Sequence, residues 1–165
     1  MEKTTTYDVE GQELVTTALT ELLNQYPALE GREIKYSTIG ESSGIAIFPT
    51  NGAAVREEKV NIIGMVKQTV EYPFIVIYRA SGLSERGKER VKEWLDNLGR
   101  WLEKQDIRVG DELYHLDAYP ELTRGRKFDK IARTSASYLN SINEAKAENW
   151  AINITATYKN EFKRR

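Results

Sequence analysis

Cysteine is missing from all 165 residues. Its absence removes disulfides, thiolate nucleophiles, Cys-ligated zinc and iron–sulfur clusters together, and it fits synthesis in a reducing compartment. Long apolar runs are missing too. The densest, Phe74-Ile75-Val76-Ile77-Tyr78, is far too short to cross a bilayer. The opening segment Met1–Thr6 has no apolar stretch of the kind a signal peptide needs, so a soluble protein made in the cytoplasm is expected. A surplus of one charge is also lacking: 24 Lys+Arg face 25 Asp+Glu, a formal net charge of -1. A protein that lives on nucleic acid carries a clear positive excess, so nucleic-acid binding is disfavoured as the main task.

What is present is ordinary for a globular chain, with 40% hydrophobic and 30% charged residues. The length suits one domain spanning 1–165, which at this size buries roughly 70% of the surface its extended form exposes. Val9, Leu14, Val15, Ala18, Leu19, Leu22 and Leu23 recur at helical spacing and predict a helix over 7–25. Asp8 is its N-cap candidate and Tyr26-Pro27 its stop. Segments 33–37 and 45–48 read as strands joined by the turn-rich Gly40-Glu41-Ser42-Ser43-Gly44, hence a hairpin, with Pro49–Gly52 closing the second. Segment 61–79 is the most strand-like part of the chain. Pro73 inside it predicts an edge, a bulge or a break, and the apolar run after it predicts cover on both faces.

A second helix is expected over 85–104, capped by Ser84 and striped by Val91, Trp94, Leu95, Leu98, Trp101 and Leu102. Core packing is the default role of its tryptophans, and Gly99 within it implies a close neighbour. Residues 105–127 predict one short strand with irregular structure, and Thr123–Lys127 an exposed loop. Ile131–Leu139 reads as a strand, 140–149 as a turn or short helical piece, and Trp150–Tyr158 as an alternating, half-buried strand. The order α-β-β-β-α-β-β predicts an α+β fold, with two main helices packed on a largely antiparallel sheet.

Gly40-Glu41-Ser42-Ser43-Gly44 matches G-x-S-x-G, the nucleophile elbow, in which the serine sits on a strained turn between a strand and a helix. Here the next residues, Ile45–Pro49, read as a strand, so a turn is favoured over a small hydrolase using Ser42. His115 is the single histidine available as its base, and Asp117 the tempting orienter. Asp106, Asp111, Glu112 and Asp117 lack calcium-loop spacing, and no phosphate-cradling glycine loop precedes a helix, so no metal and no cofactor are expected. Asn153-Ile154-Thr155 matches a glycosylation acceptor, which has no bearing without secretion. The basic segments Arg124–Lys127 and Lys159–Arg165 have solubility as their plain reading. Their functional reading is a local positive surface that touches DNA or an acidic partner. Nine tyrosines suit protein–protein contacts.

The helix ending at Tyr26-Pro27 is followed by Tyr72-Pro73-Phe74-Ile75-Val76, then Ser81-Gly82 and the helix with Trp94-Leu95-Asp96-Asn97-Leu98-Gly99-Arg100-Trp101-Leu102. The chain closes on a strand carrying Tyr158 and Phe162 and a basic tail. Over roughly Val9 to Phe162 this order resembles the tail terminator and minor capsid (head–tail joining) proteins of phages and prophages of Gram-positive bacteria. The resemblance implies a virion structural protein without catalytic residues. Such a protein forms a homo-oligomeric ring, commonly a hexamer, that caps the tail tube and meets the major tail protein and a head–tail connector. Another connector or tail-completion protein is the alternative. A basic loop or tail directed at the lumen (Arg124, Arg126, Lys127, Lys163, Arg164 and Arg165) would meet DNA phosphates without reading sequence.

Overall fold

The computed structural model describes residues 4–164, so Arg165 and the Met1–Lys3 start of the segment read for a leader lie outside the described residues. Helix α1 (Val9–Leu23) begins at Asp8, whose carboxylate accepts the Gly11 N–H at 3.1 Å. The cap leaves Val15, Ala18, Leu19, Leu22 and Leu23 facing the core. The helix stops at Asn24, before Tyr26-Pro27. There the Asn24 side chain bonds the N–H and the carbonyl of Ile34, each at 2.8 Å, holding strand β1 (Ile34–Tyr36) against the helix end.

The expected hairpin between the first two strands does not form. Strand β2 (Gly44–Pro49) runs parallel to β1, with Ile34 beside Ile45 and Tyr36 beside Ile47. Parallel pairs usually need a long crossover. Here β1 has three residues and covers only about 10 Å, so residues 37–43 suffice to bring the chain back. Ser37 takes a left-handed backbone (φ 51°) at the start of that return and donates its N–H to Ile47 at 2.9 Å.

Strands β3 (Ala54–Val60) and β4 (Met65–Ala80) form a long hairpin. Strand β3 escaped the sequence reading because its exposed residues, Arg-Glu-Glu-Lys, carry charge rather than apolar alternation, as suits a sheet edge. Strand β4 is unbroken at Pro73. Along one side it pairs with β9 (Glu148–Lys163) throughout, while its other side is shared end to end by β3 and β2. The Pro73 carbonyl accepts Thr50 N–H at 3.1 Å on the shared side. Its missing N–H points the same way, into the gap between the partners, where no ladder bond is lost.

Helix α2 (Glu85–Leu102) is capped by Ser84, whose hydroxyl accepts the Gly87 N–H at 3.1 Å. Strands β5 (Ile107–Val109) and β6 (Glu112–Tyr114) follow as a separate hairpin, where one strand was expected. Strand β7 (Arg126–Arg133) starts inside the segment read as an exposed loop. The expected 131–139 strand divides, since β8 (Tyr138–Ile142) pairs with a different stretch of β9.

Among the described residues the main sheet has seven strands, with β1-β2-β4-β9-β7 in order and β3 and β8 attached to β4 and β9, and of these pairs only β1–β2 is parallel. The α+β class therefore holds. Both helices pack on one face, burying Val70, Tyr72, Phe74 and Val76 of β4 with Ile152, Ile154, Ala156 and Tyr158 of β9. Trp94 and Trp101 close on Tyr26 at ring separations of 5.1 and 5.5 Å, in the packing role expected. The other face is more open than the apolar run predicted, because Pro73, Ile75 and Ile77 are only half-buried. Strand β9 reverses the expectation: Glu148–Ile152 are buried on both faces, and Tyr138 lies opposite Ala151 with its hydroxyl bonded to Asn153 Nδ2 at 3.0 Å.

Candidate assembly surfaces

Ser42 and His115 have different hydrogen-bond partners. The Ser42 carbonyl accepts Ser81 Oγ at 3.0 Å, and the Asn143 amide holds the neighbouring Glu41 carbonyl, so the loop is tied down through its backbone. His115 Nδ1 lies 2.9 Å from Asp106 Oδ1, not on Asp117, in a shallow depression shared with Gln25, Pro27 and Trp101. No helix follows Ser42, since Gly44 opens β2. Among the described residues no three His, Cys, Asp or Glu side chains gather as a metal site, and no helix is long and apolar enough to cross a membrane.

The basic residues are brought to one end of the sheet. Arg126 sits opposite Asn160 across β7 and β9, and Glu161 N–H donates to the Gly125 carbonyl at 2.9 Å. Segment 124–127 thus lies against the 159–164 segment. Their roles diverge, however. Arg126 is buried: Nε and Nη2 reach the two carboxylate oxygens of Asp8 at 2.8 and 2.6 Å. With the Gly11 N–H, Tyr158 OH brings the bonds to this carboxylate to four, donating at 2.7 Å. Burial pushes the Asp8 carboxyl up, but the bonds from Arg126, Tyr158 and Gly11 outweigh it and leave it below its ordinary value. Arg126 is therefore a core tie, not an exposed contact; its position in a Thr-Arg-Gly-Arg-Lys run hid this. Arg124 pairs with Glu10 at the surface. Lys127 stands opposite Lys159, whose Nζ turns to Thr69 Oγ1 at 2.7 Å. Like charges facing each other across a ladder destabilise it, and Glu57 stands in the same row, opposite Thr69. Lys163 ends β9, and the Arg164 guanidinium lies 3.8 Å from Glu58.

One surface was missed in the sequence. The turn joining β3 to β4 carries Ile62 and Ile63, 104% and 69% exposed. They were read as part of a β-rich segment; the flanking turn formers Asn61 and Gly64 were the available signal. Asn61 Oδ1 accepts the N–H groups of Ile63 and Met65 at 3.1 and 2.9 Å. Gly64 takes a left-handed backbone (φ 82°), and its carbonyl accepts Arg164 N–H at 2.8 Å. The tip is held by the Asn61 side chain on one side and the Arg164 backbone on the other.

Below the tip, on the face that elsewhere carries the helices, Val60, Val66 and Phe162 lie side by side across β3, β4 and β9. The next row inward is Glu58, Gln68, Asn160 and Arg126. Gln68 bonds Glu58 at 2.8 Å, and Asn160 bonds Gln68 at 3.1 Å. A satisfied polar row thus separates the core from a second apolar patch at the end of the arm. No protein-family model matches the chain, and a search of curated proteins finds no match. Among solved structures it is similar to a chain in "Virion of native gene transfer agent (GTA) particle", with a TM-score of 0.52 and 10% identity, over 93% of this chain and 99% of that one.

Proposed function

We propose that the chain is a virion structural protein, a tail terminator that forms a homo-oligomeric ring at the head-proximal end of a phage tail tube. The observation that carries this reading is the likeness, over nearly the whole of both chains, to a component of a gene transfer agent virion. It joins the family resemblance in the order of elements. Its partners on this reading are copies of itself, the major tail protein and a head–tail connector, with passing DNA in the lumen. Its location is the virion, after synthesis in the host cytoplasm. No chemistry is assigned to it.

Two features of the fold support the ring reading. A two-layer core carries an arm of β3, β4 and β9 that extends past the helices, and head-to-tail contacts between such subunits close into rings when the rotation allows. Native mass measurement and negative-stain imaging of the purified chain, alone and with tube protein, test the proposal. A ring of discrete mass is expected. A chain that stays monomeric under both conditions overturns it.

A further inference from the structure

We propose that the Ile62–Ile63 tip of one subunit docks into an apolar pocket at the opposite end of the sheet on a second copy of this chain. The proposal rests on the ring reading and names the contact that builds it. The pocket is an open cavity of about 300 Å³ walled by Gly44, Ile45, Tyr78 and Ala80, with the charged Arg32, Glu33, Lys35 and Arg79 also lining it. The Arg32 guanidinium lies over the Tyr78 ring at 5.2 Å. Tyr78 is itself fixed against Trp94 at 5.2 Å between rings, so the wall is built rather than collapsible.

Plug and socket share one strand. The tip precedes Met65 at the start of β4, and the pocket surrounds Tyr78 and Ala80 at its end. Sixteen residues of strand separate them by roughly 50 Å, so the tip cannot reach its own socket. A projecting apolar group and a matching cavity at opposite ends of one molecule define a head-to-tail contact, the kind that repeats into a ring. The tip is also held by Asn61, Gly64 and Arg164 before any partner arrives, so docking does not have to order it. One such contact is well below the roughly 1,200–2,000 Å² of a stable interface. It therefore acts as one of several contacts that ring closure makes together.

The absence of cysteine makes the test clean. Ile63→Cys is combined with Ser43→Cys, at the pocket mouth, and the chain is oxidised under assembly conditions. A ladder of disulfide-linked oligomers is expected from the double variant and none from either single variant. Ile62→Asp with Ile63→Asp is expected to weaken self-association by on the order of tenfold or more. At a dilution where the wild-type chain is monomeric, its unfolding midpoint should not change, because both side chains are exposed in the single chain. Cross-linked dimers from Ile63→Cys alone mean tip-to-tip contact and overturn the proposal. Rings that form normally in the Asp variant, with no ladder from the cysteine pair, overturn it and leave the ring reading standing. A wild-type chain that never assembles overturns both.

Discussion

Arg126 and Asp8 form a bidentate ion pair in which both side chains are almost fully buried, 5% and 6% exposed, joining the first turn of α1 to the start of β7. Removing one partner of a buried pair leaves an uncompensated charge and costs about 3–5 kcal/mol. Asp8→Asn keeps the helix cap and isolates that effect. We expect it to lower stability by about that amount in urea unfolding. The double change Asp8→Asn with Arg126→Met should cost clearly less than the two single changes added together. A single-variant loss under about 1 kcal/mol would mean that the pair is solvated.

Gly11 touches the same pair. A Cβ there would overlap the Asp8 carboxylate and Arg126 Nε. Alanine normally improves a helix interior by about 1 kcal/mol over glycine; Gly11→Ala should instead destabilise. Gly99 behaves alike, because its missing Cβ is replaced by the Arg133 stem, whose guanidinium holds Glu103 at 2.9 Å. Thermal midpoints of the two alanine variants check this, and a rise in either would refute the packing argument at that site.

Acid should unfold the protein through these pairs. Burial pushes Glu103 up, as it does Asp8, but hydrogen bonds from Arg133 prevail and hold the carboxyl below its ordinary value. A depressed carboxylate contributes stability that is full above the unfolded values of 4.5 and 3.8 and is lost as pH falls through the folded ones. Urea midpoints should be flat from pH 7 to about 5 and fall below that. Combining Asp8→Asn with Glu103→Gln should flatten the acid slope.

Neutralising Lys127, Lys163 and Arg164 should lower the yield of infectious particles while rings still form, if these groups meet DNA in the lumen. Unchanged yield removes that role. Arg126 is left out of the set because its loss unfolds the core contact instead.

Ser42→Ala should leave esterase activity at the level of the wild-type chain, and both at buffer background. Turnover that disappears with the substitution would restore the hydrolase reading.

Periodicity and end signals were legible in the sequence because they act locally. Asp8 and Ser84 cap the two helices as their side-chain chemistry requires, and the α+β class follows from the order of elements. The α2 stripe faces the core, while that of α1 does so only from Val15 onward, because Val9 on the first turn is exposed and Leu14 only half-buried. What a residue meets across the sheet is not local, and only the tertiary structure decided it. A three-residue β1 allowed a parallel return where turn residues implied a hairpin. Pro73 was accommodated because two different strands meet beside it. Arg126, lodged in a basic run, became a core residue once β7 and β9 placed it against Asp8. Ile62 and Ile63, apolar by composition, were left in solvent because the arm outruns the helices that would have covered them.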